Sequence, residues 1–420
     1  MRIGKNDRRL AASPAGCLAA SLAASLAASL AAVPAHAEAL ADTLTLAPPA
    51  LPLGDAELRL GAEAGGALFA PDRAGPGQSH SRGAEASGVL RLLPELRRDY
   101  DSGLTLALSG AFAAADPLSR GRYDGDAIER LAGQARTGLG TLEVGITDGA
   151  GYRLAVTGPG ADPAVGLDDA RTSFFRDPAT GRAVSDMFAL RTEVGASSNY
   201  AKFAYASPLL FGVQVALSFT PGEGKQLPFL NAGPDVPGRQ ADIWEAALRY
   251  ETDLDILGRS LSVAAYGAVA EGRAEHKLPG QEGVSDLGAG LSADWPVTED
   301  ITVSLGGAFR QSNAYAFDVN QAWQGATTRA QHISAALSDG AWTGSIAYGN
   351  GVANAAAGLP RLGLNGTEAQ VSYRLSPSVL VSAGWQRQNY SRGSGLFFNG
   401  SQTLNMDAVF LHLNLKTVSD

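Results

Sequence analysis

The chain has 420 residues, of which 45% are hydrophobic and 51 are glycine, and its formal net charge is −9. So acidic a surface is a poor match for phosphate backbones, which excludes nucleic acid as a partner. Cys17 is the sole cysteine, so the chain beyond it has no disulfide staple, thiolate metal site or cysteine nucleophile.

Arg2, Lys5, Arg8 and Arg9 precede an apolar, Ala-rich run at 18–33, and Ala35-His36-Ala37 follows as a small-x-small cleavage site. This pattern predicts a secretory signal over residues 1–37. Its removal takes away four cations and one acid and leaves a net charge of −12. Residues 38–55 form a Pro-rich lead-in with no clear period.

From residue 56 one unit recurs. Leu58, Leu60, Ala62 and Ala64 oppose Glu57, Arg59, Gly61 and Glu63. Ala86, Leu90, Leu92 and Leu96 then oppose Glu85, Ser87, Arg91 and Glu95. Strict alternation over such lengths predicts strands and is incompatible with a helical stripe. It continues through 104–112, a weaker stretch at 127–136, then 142–146, 199–206, 213–220, 243–250, 261–269 and 287–295. The last segments are 301–310, 328–337, 342–349, 368–375, 379–388 and 406–415. There are about sixteen, each near the ~10 residues that cross a bilayer obliquely.

The connections alternate in length. Short joins at 98–103, 137–140, 207–212, 251–259, 296–300, 338–341 and 376–378 are interleaved with long ones, of which 148–198 is the longest. Short at one end and long at the other is the signature of an outer-membrane barrel. A soluble β-sandwich would present charged outer faces and a core of large side chains. Here the apolar face mixes Ala and Val with Leu, and the other face is Ser, Thr, Gly and scattered charge. Trp244 and Tyr250, and Trp342 and Tyr348, lie six residues apart on the apolar face. That is ~20 Å along a strand, the spacing of two interfacial girdles. The expected architecture is therefore an all-β, transmembrane antiparallel barrel over 56–415 with a tail at 416–420. Mean hydropathy of −0.02 does not oppose this, because alternation averages to the value of a soluble chain.

"RTGLGTLEVGITDGAG" (136–151) resembles the fourth and fifth strands of general bacterial porins, where a Gly-rich turn leads into the long third loop. "SNYAKFAYASPLLFGVQVALSFTP" (198–221) resembles the strand, Ser-Pro turn and strand that follow that loop. With the leader and the loop alternation, the resemblance covers nearly all of 56–415 and is strongest to the alphaproteobacterial type. One departure is that such proteins end on an aromatic residue, whereas this chain runs past Leu415 to Asp420.

The resemblance implies a homotrimer in the outer membrane of a Gram-negative bacterium, whose third loop folds into the lumen. Loop acids Asp168, Asp169, Asp177 and Asp186 would then face Arg59, Arg91, Arg130 and Arg136 of the wall and set a transverse field at the constriction. Arg59 and Arg91 fall on the polar face by alternation, and charged rings of this kind filter solutes by size and sign. The expected activity is passive diffusion of small hydrophilic solutes and ions, with no cofactor.

The scattered histidines lack metal-ligand spacing, and no nucleophile elbow, phosphate loop or His-Glu-x-x-His is present. Two alternatives remain. A sugar-selective channel would want a lumenal aromatic track, for which Tyr266 is the main residue on a polar face. A structural or adhesive barrel would have a plugged lumen.

Overall fold

The computed structural model describes residues 45–74, 84–115, 128–167, 175, 190–197, 200–223, 238–314, 322–354, 361–394 and 401–417. The leader, Asp168, Asp169, Asp177 and Asp186 lie outside them. The strands are β1 (Ala50–Leu53), β2 (Ala56–Ala74), β3 (Glu85–Asp99), β4 (Thr105–Ala115), β5 (Ile128–Thr137) and β6 (Gly140–Ile146). After the longest connection come β7 (Ala201–Ala206), β8 (Val213–Gly222), β9 (Gln240–Ile256), β10 (Arg259–Ala274), β11 (Ser285–Pro296) and β12 (Ile301–Ser312). The last are β13 (Thr327–Asp339), β14 (Trp342–Asn354), β15 (Leu362–Ser376), β16 (Val379–Arg392) and β17 (Gln402–Lys416). From β2 onward each strand pairs antiparallel with the next, and β17 returns to β2 with Leu413 opposite Gly66. The result is a closed barrel of 16 strands, which leaves no sheet edge for hydrocarbon to meet.

The alternation decides which face is outside. Leu68, Leu92, Leu108, Leu217, Leu248, Leu291, Leu305, Ile333 and Ile346 are exposed on the outer surface, and Trp244, Tyr250 and Tyr348 are exposed among them. Their alternates Gln134, Glu143, Lys202, Ser218, Glu245, Arg310, Ser345 and Gln370 are buried inside. Burying apolar area against lipid and polar area within is the arrangement that period-two sequences dictate in a membrane. Many strands run beyond their clean alternation, as β10 does through Glu271, Gly272 and Arg273. There polar residues occupy both faces and the period fades.

β1 belongs to the lead-in. β17 ends its ladder at Lys416 opposite Glu63, and β1 takes over the same side of β2 from Arg59 to Ala56. The Leu60 N–H also donates to Pro49 O at 3.0 Å. Pro52 has no donor to offer and sits at the rim, where strands tolerate proline.

The inner wall is not uniformly polar. Phe69, Leu364, Tyr390, Met406 and Phe410 point inward and are buried with Val165, Leu167, Phe175 and Leu190 of the longest connection. A second cluster packs Leu154, Val156 and Val194 of that connection against Ile243, Tyr266 and Ala268.

Candidate functional site

The longest connection begins after β6 with one helical turn, α1 (Ala150–Arg153). Its first backbone donors have no partner within the turn and find them on the wall. The Ala150 N–H donates to Ser218 Oγ at 3.0 Å, and the Gly151 N–H donates to Glu245 Oε2 at 3.1 Å. Gly149 lets this approach happen, because a Cβ there would lie 2.0 Å from Glu245 Oε2.

Further on, the chain crosses β11 and β12 over glycines. A Cβ on Gly290 would sit 1.9 Å from Val156 O, and one on Gly306 would meet Gly158 Cα at 3.1 Å. It then exchanges hydrogen bonds with β14, β15 and β16. The Ala161 N–H donates to Ser345 Oγ at 2.9 Å, while Ser372 Oγ donates to Ala161 O at 2.8 Å. The Asp162 N–H donates to Gln370 Oε1 at 3.0 Å, and Gln386 Nε2 donates to Val165 O at 2.8 Å.

Asp162 is a hub. Its Oδ2 accepts from Ser382 and lies 2.7 Å from His412 Nδ1, while its Oδ1 accepts from the Ala164 N–H as the cap of a short 3-10 turn, Pro163–Val165. Burial pushes the Asp162 carboxyl up, but His412, Ser382 and Ala164 together outweigh it and hold the group below its ordinary value.

The returning limb retraces this path. The Val194 N–H reaches Tyr266 OH at 3.4 Å, and Ser197 donates through N–H and Oγ to Glu245 Oε1 at 2.9 and 2.6 Å. Lys202 of β7 donates Nζ to Thr147 O at 2.7 Å and to Ser197 O at 3.4 Å. Glu245 and Lys202 thus each tie the outgoing limb to the returning one.

The hydrogen bonds traced above fall on β7–β9, on β10 and on β14–β17, and the Val165–Phe175 cluster reaches β2. The sector from β3 to β6 carries mainly ion pairs, one of which reaches the start of the connection. Arg91 is buried inward and bridges Glu63 at 3.2 Å and Glu129 at 2.8 Å. Arg130 reaches Glu143 Oε1 at 3.0 Å, and Glu143 Oε2 accepts from Arg153 of α1 and from Thr147. Arg59 and Arg136 lie lower on the inner wall, where Arg59 pairs with Glu57 and Arg136 donates to Gln134 Oε1.

All four sequence-selected arginines therefore point inward, and Arg91 and Arg130 each share an acid with a neighbouring element. Sequence reasoning missed Glu143, Glu245, Lys202 and Asp162, although the first three stand at polar-face positions of their strands. Tyr266, the residue weighed for a sugar track, is covered by Val194 and offers no stacking face. Among the described residues no His, Cys, Asp or Glu group is arranged to hold a metal.

A model of the Gram-negative porin family matches residues 22–393. No curated protein sequence matches. Among solved structures, the outer-membrane expressed OmpT of Vibrio cholerae is 12% identical with a TM-score of 0.47, covering 86% of this chain and 100% of its own. A triple mutant of the Rhodopseudomonas blastica porin is 15% identical with a TM-score of 0.44, covering 85% and 99%. With a family match across most of its length and a closed barrel beneath it, the chain belongs to the Gram-negative porin family.

Proposed function

We propose that this outer-membrane channel passes small hydrophilic solutes and ions passively, through the part of the lumen bounded by β3–β6. The observation that carries the reading is the division of the inner wall. One sector is bonded along its length to residues of the longest connection, while the other touches it through Arg153 on Glu143 and presents the ion pairs of Arg91 with Glu63 of neighbouring β2 and of Arg130 with Glu143. A barrel of this size is too wide for its own side chains to fill, so a connection laid along one side narrows it to an eccentric opening. Charges at that opening sort ions by sign and larger solutes by size.

In this reading Asp168, Asp169, Asp177 and Asp186 join the rim of the opening from the loop side, opposite Arg59, Arg91, Arg130 and Arg136. The protein then works as a filter, without covalent chemistry or cofactor. Residues 1–37 are cleaved as a signal and the mature barrel assembles as a homotrimer, as the family resemblance implies. Planar-bilayer recording with sugars of rising size tests the central claim. Large, weakly selective unitary steps and a sharp size cut-off are expected. A closed membrane, or saturable block by one sugar, would overturn it.

A further inference from the structure

The short turns at the periplasmic end are not alike. The turn tips other than those joining β5–β6, β7–β8 and β9–β10 carry polar or small residues at their centres, such as Gly54-Asp55, Asp101-Ser102, 298–300 and Gly340-Ala341, with single exposed apolar residues beside three of them at Leu53, Tyr100 and Val297. In the three tips joining β5–β6, β7–β8 and β9–β10, exposed apolar residues stand at the centres instead. Leu139 is 81% exposed, Phe211 is fully exposed and Leu257 is 88% exposed, flanked by Leu209, Leu210 and Ile256.

The first tip adjoins β7 and the second adjoins β9, which runs on past it to Ile256 before Leu257 closes the third. Tyr205 OH of β7 donates to Leu139 O at 2.7 Å, and the Glu251 N–H of β9 donates to Gly212 O of the β7–β8 turn at 2.7 Å. They form one crescent of consecutive hairpins on one side of the rim, with Leu257 projecting furthest.

Two of the tips also break a local rule. Phe211-Gly212 and Leu257-Gly258 close two-residue hairpins with φ values of +53° and +80°, and of +57° and +73°. Left-handed backbone at both central positions defines the turn that favours Asn-Gly or Asp-Gly. Phenylalanine and leucine are costly at the first position, and burying nothing, they recover none of that cost within the barrel. A partner that takes up their surface accounts for them.

The crescent continues into the lipid-facing wall through the exposed Leu142, Tyr205, Val213, Val215, Tyr250 and Leu254 of the same strands, with the exposed Asp253, Asp255 and Arg259 of the β9–β10 hairpin placed to meet headgroups. We propose that its occupant is the inner phospholipid leaflet, with the tips of β5–β10 embedded among the acyl chains and glycerol groups while the remaining tips stay in periplasmic water. The barrel then sits deeper in the bilayer on this side. The inference uses only residence in the outer membrane and is independent of what the pore conducts.

Single cysteines placed by Phe211→Cys, Leu257→Cys, Asp101→Cys and Asp300→Cys in a Cys17→Ser background can carry a nitroxide. The folded protein is reconstituted into phosphatidylethanolamine–phosphatidylglycerol vesicles. Relaxation by dissolved oxygen is then compared with relaxation by a water-soluble nickel chelate. The expected result is a ratio of oxygen to nickel accessibility several-fold higher at 211 and 257 than at 101 and 300. Nickel accessibility at 211 and 257 equal to that of the two polar tips would overturn the proposal. It would assign the crescent to a protein partner absent from such vesicles.

Discussion

Replacing Arg91 by alanine gives the sharpest reading of the pore assignment, because the structure fixes the sign of the effect. Arg91 bridges Glu63 and Glu129, so Arg91→Ala removes a cation that lies between two carboxylates beside the proposed path. The net change is one positive charge lost. A unit charge about 6 Å from a permeating ion in water interacts by about 0.7 kcal/mol. Screening in about 0.1 M salt, with its Debye length of about 10 Å, reduces this to about 0.4 kcal/mol. What the cation gains the anion loses, so the permeability ratio moves by about 0.8 kcal/mol, or about fourfold toward cations. In about 1 M salt the Debye length is about 3 Å and the shift shrinks to about 1.4-fold. The assay is the zero-current potential of single channels in a KCl gradient, read near pH 8 so that ordinary carboxylates are ionised. An unchanged potential at low salt, or a shift toward anions, would refute the placement of Arg91 on the ion path.

Three further perturbations address the connection instead of the path. Gly290→Val puts carbon where Val156 O now lies, 1.9 Å from a Cβ, so the loop should lift from β11. The overpacking costs about 1–3 kcal/mol, and single-channel recording should show altered mean conductance in a barrel that still migrates as folded. Lys202→Met removes both stem hydrogen bonds, at 2.7 and 3.4 Å. A charged hydrogen bond contributes about 1.5–3 kcal/mol, so open-channel current noise should rise while ion preference holds. Asp162 is held below its ordinary value, so its anchoring is complete above that ordinary value and is lost as pH falls through the lowered one. Current noise should rise as pH falls below about 4, and Asp162→Asn should show that raised noise already at neutral pH, whereas the acids of the path change ion preference.

Much of this was legible in the sequence, and the reasons differ by element. Fifteen of the sixteen barrel strands announced themselves clearly because lipid imposes one period on every crossing segment, and β5 did so only weakly. β1 did not, since four residues including Pro52 carry no period. The inward direction of Arg59 and Arg91 followed from alternation alone. The pairing of Arg91 did not, because a long connection joins β2 to β3 and hides the register that sets Glu63 opposite Arg91. The loop anchors were hidden by distance along the chain. Asp162 meets Gln370 across 208 residues and His412 across 250. Glycine could have signalled the contact, since Gly290 and Gly306 interrupt strands at positions where a backbone approaches.

The reading of the polar face as a surface for water was incomplete in a way that bears on function. A connection without regular structure must still satisfy its backbone N–H and C=O groups when it is buried. Here the donors of Ala150, Gly151, Ala161, Asp162 and Ser197 and the acceptors of Ala161 and Val165 are met by Ser, Gln and Glu side chains of the wall. Those side chains therefore template a loop as much as they line a channel. It follows that inward charge divides into two kinds. Glu245, Lys202 and Asp162 lie under protein, where their loss changes the position and steadiness of the loop. Arg91, Arg130, Glu63 and Glu129 lie in the other sector, where loss changes the field an ion crosses. Substitutions of the first kind should alter conductance and noise with little salt dependence, because they act through the packing and hydrogen bonds of the loop and not through a field in the path. Those of the second should alter ion preference and fade as salt rises. A Lys202 variant whose ion preference moved as far as that of an Arg91 variant would erase the distinction.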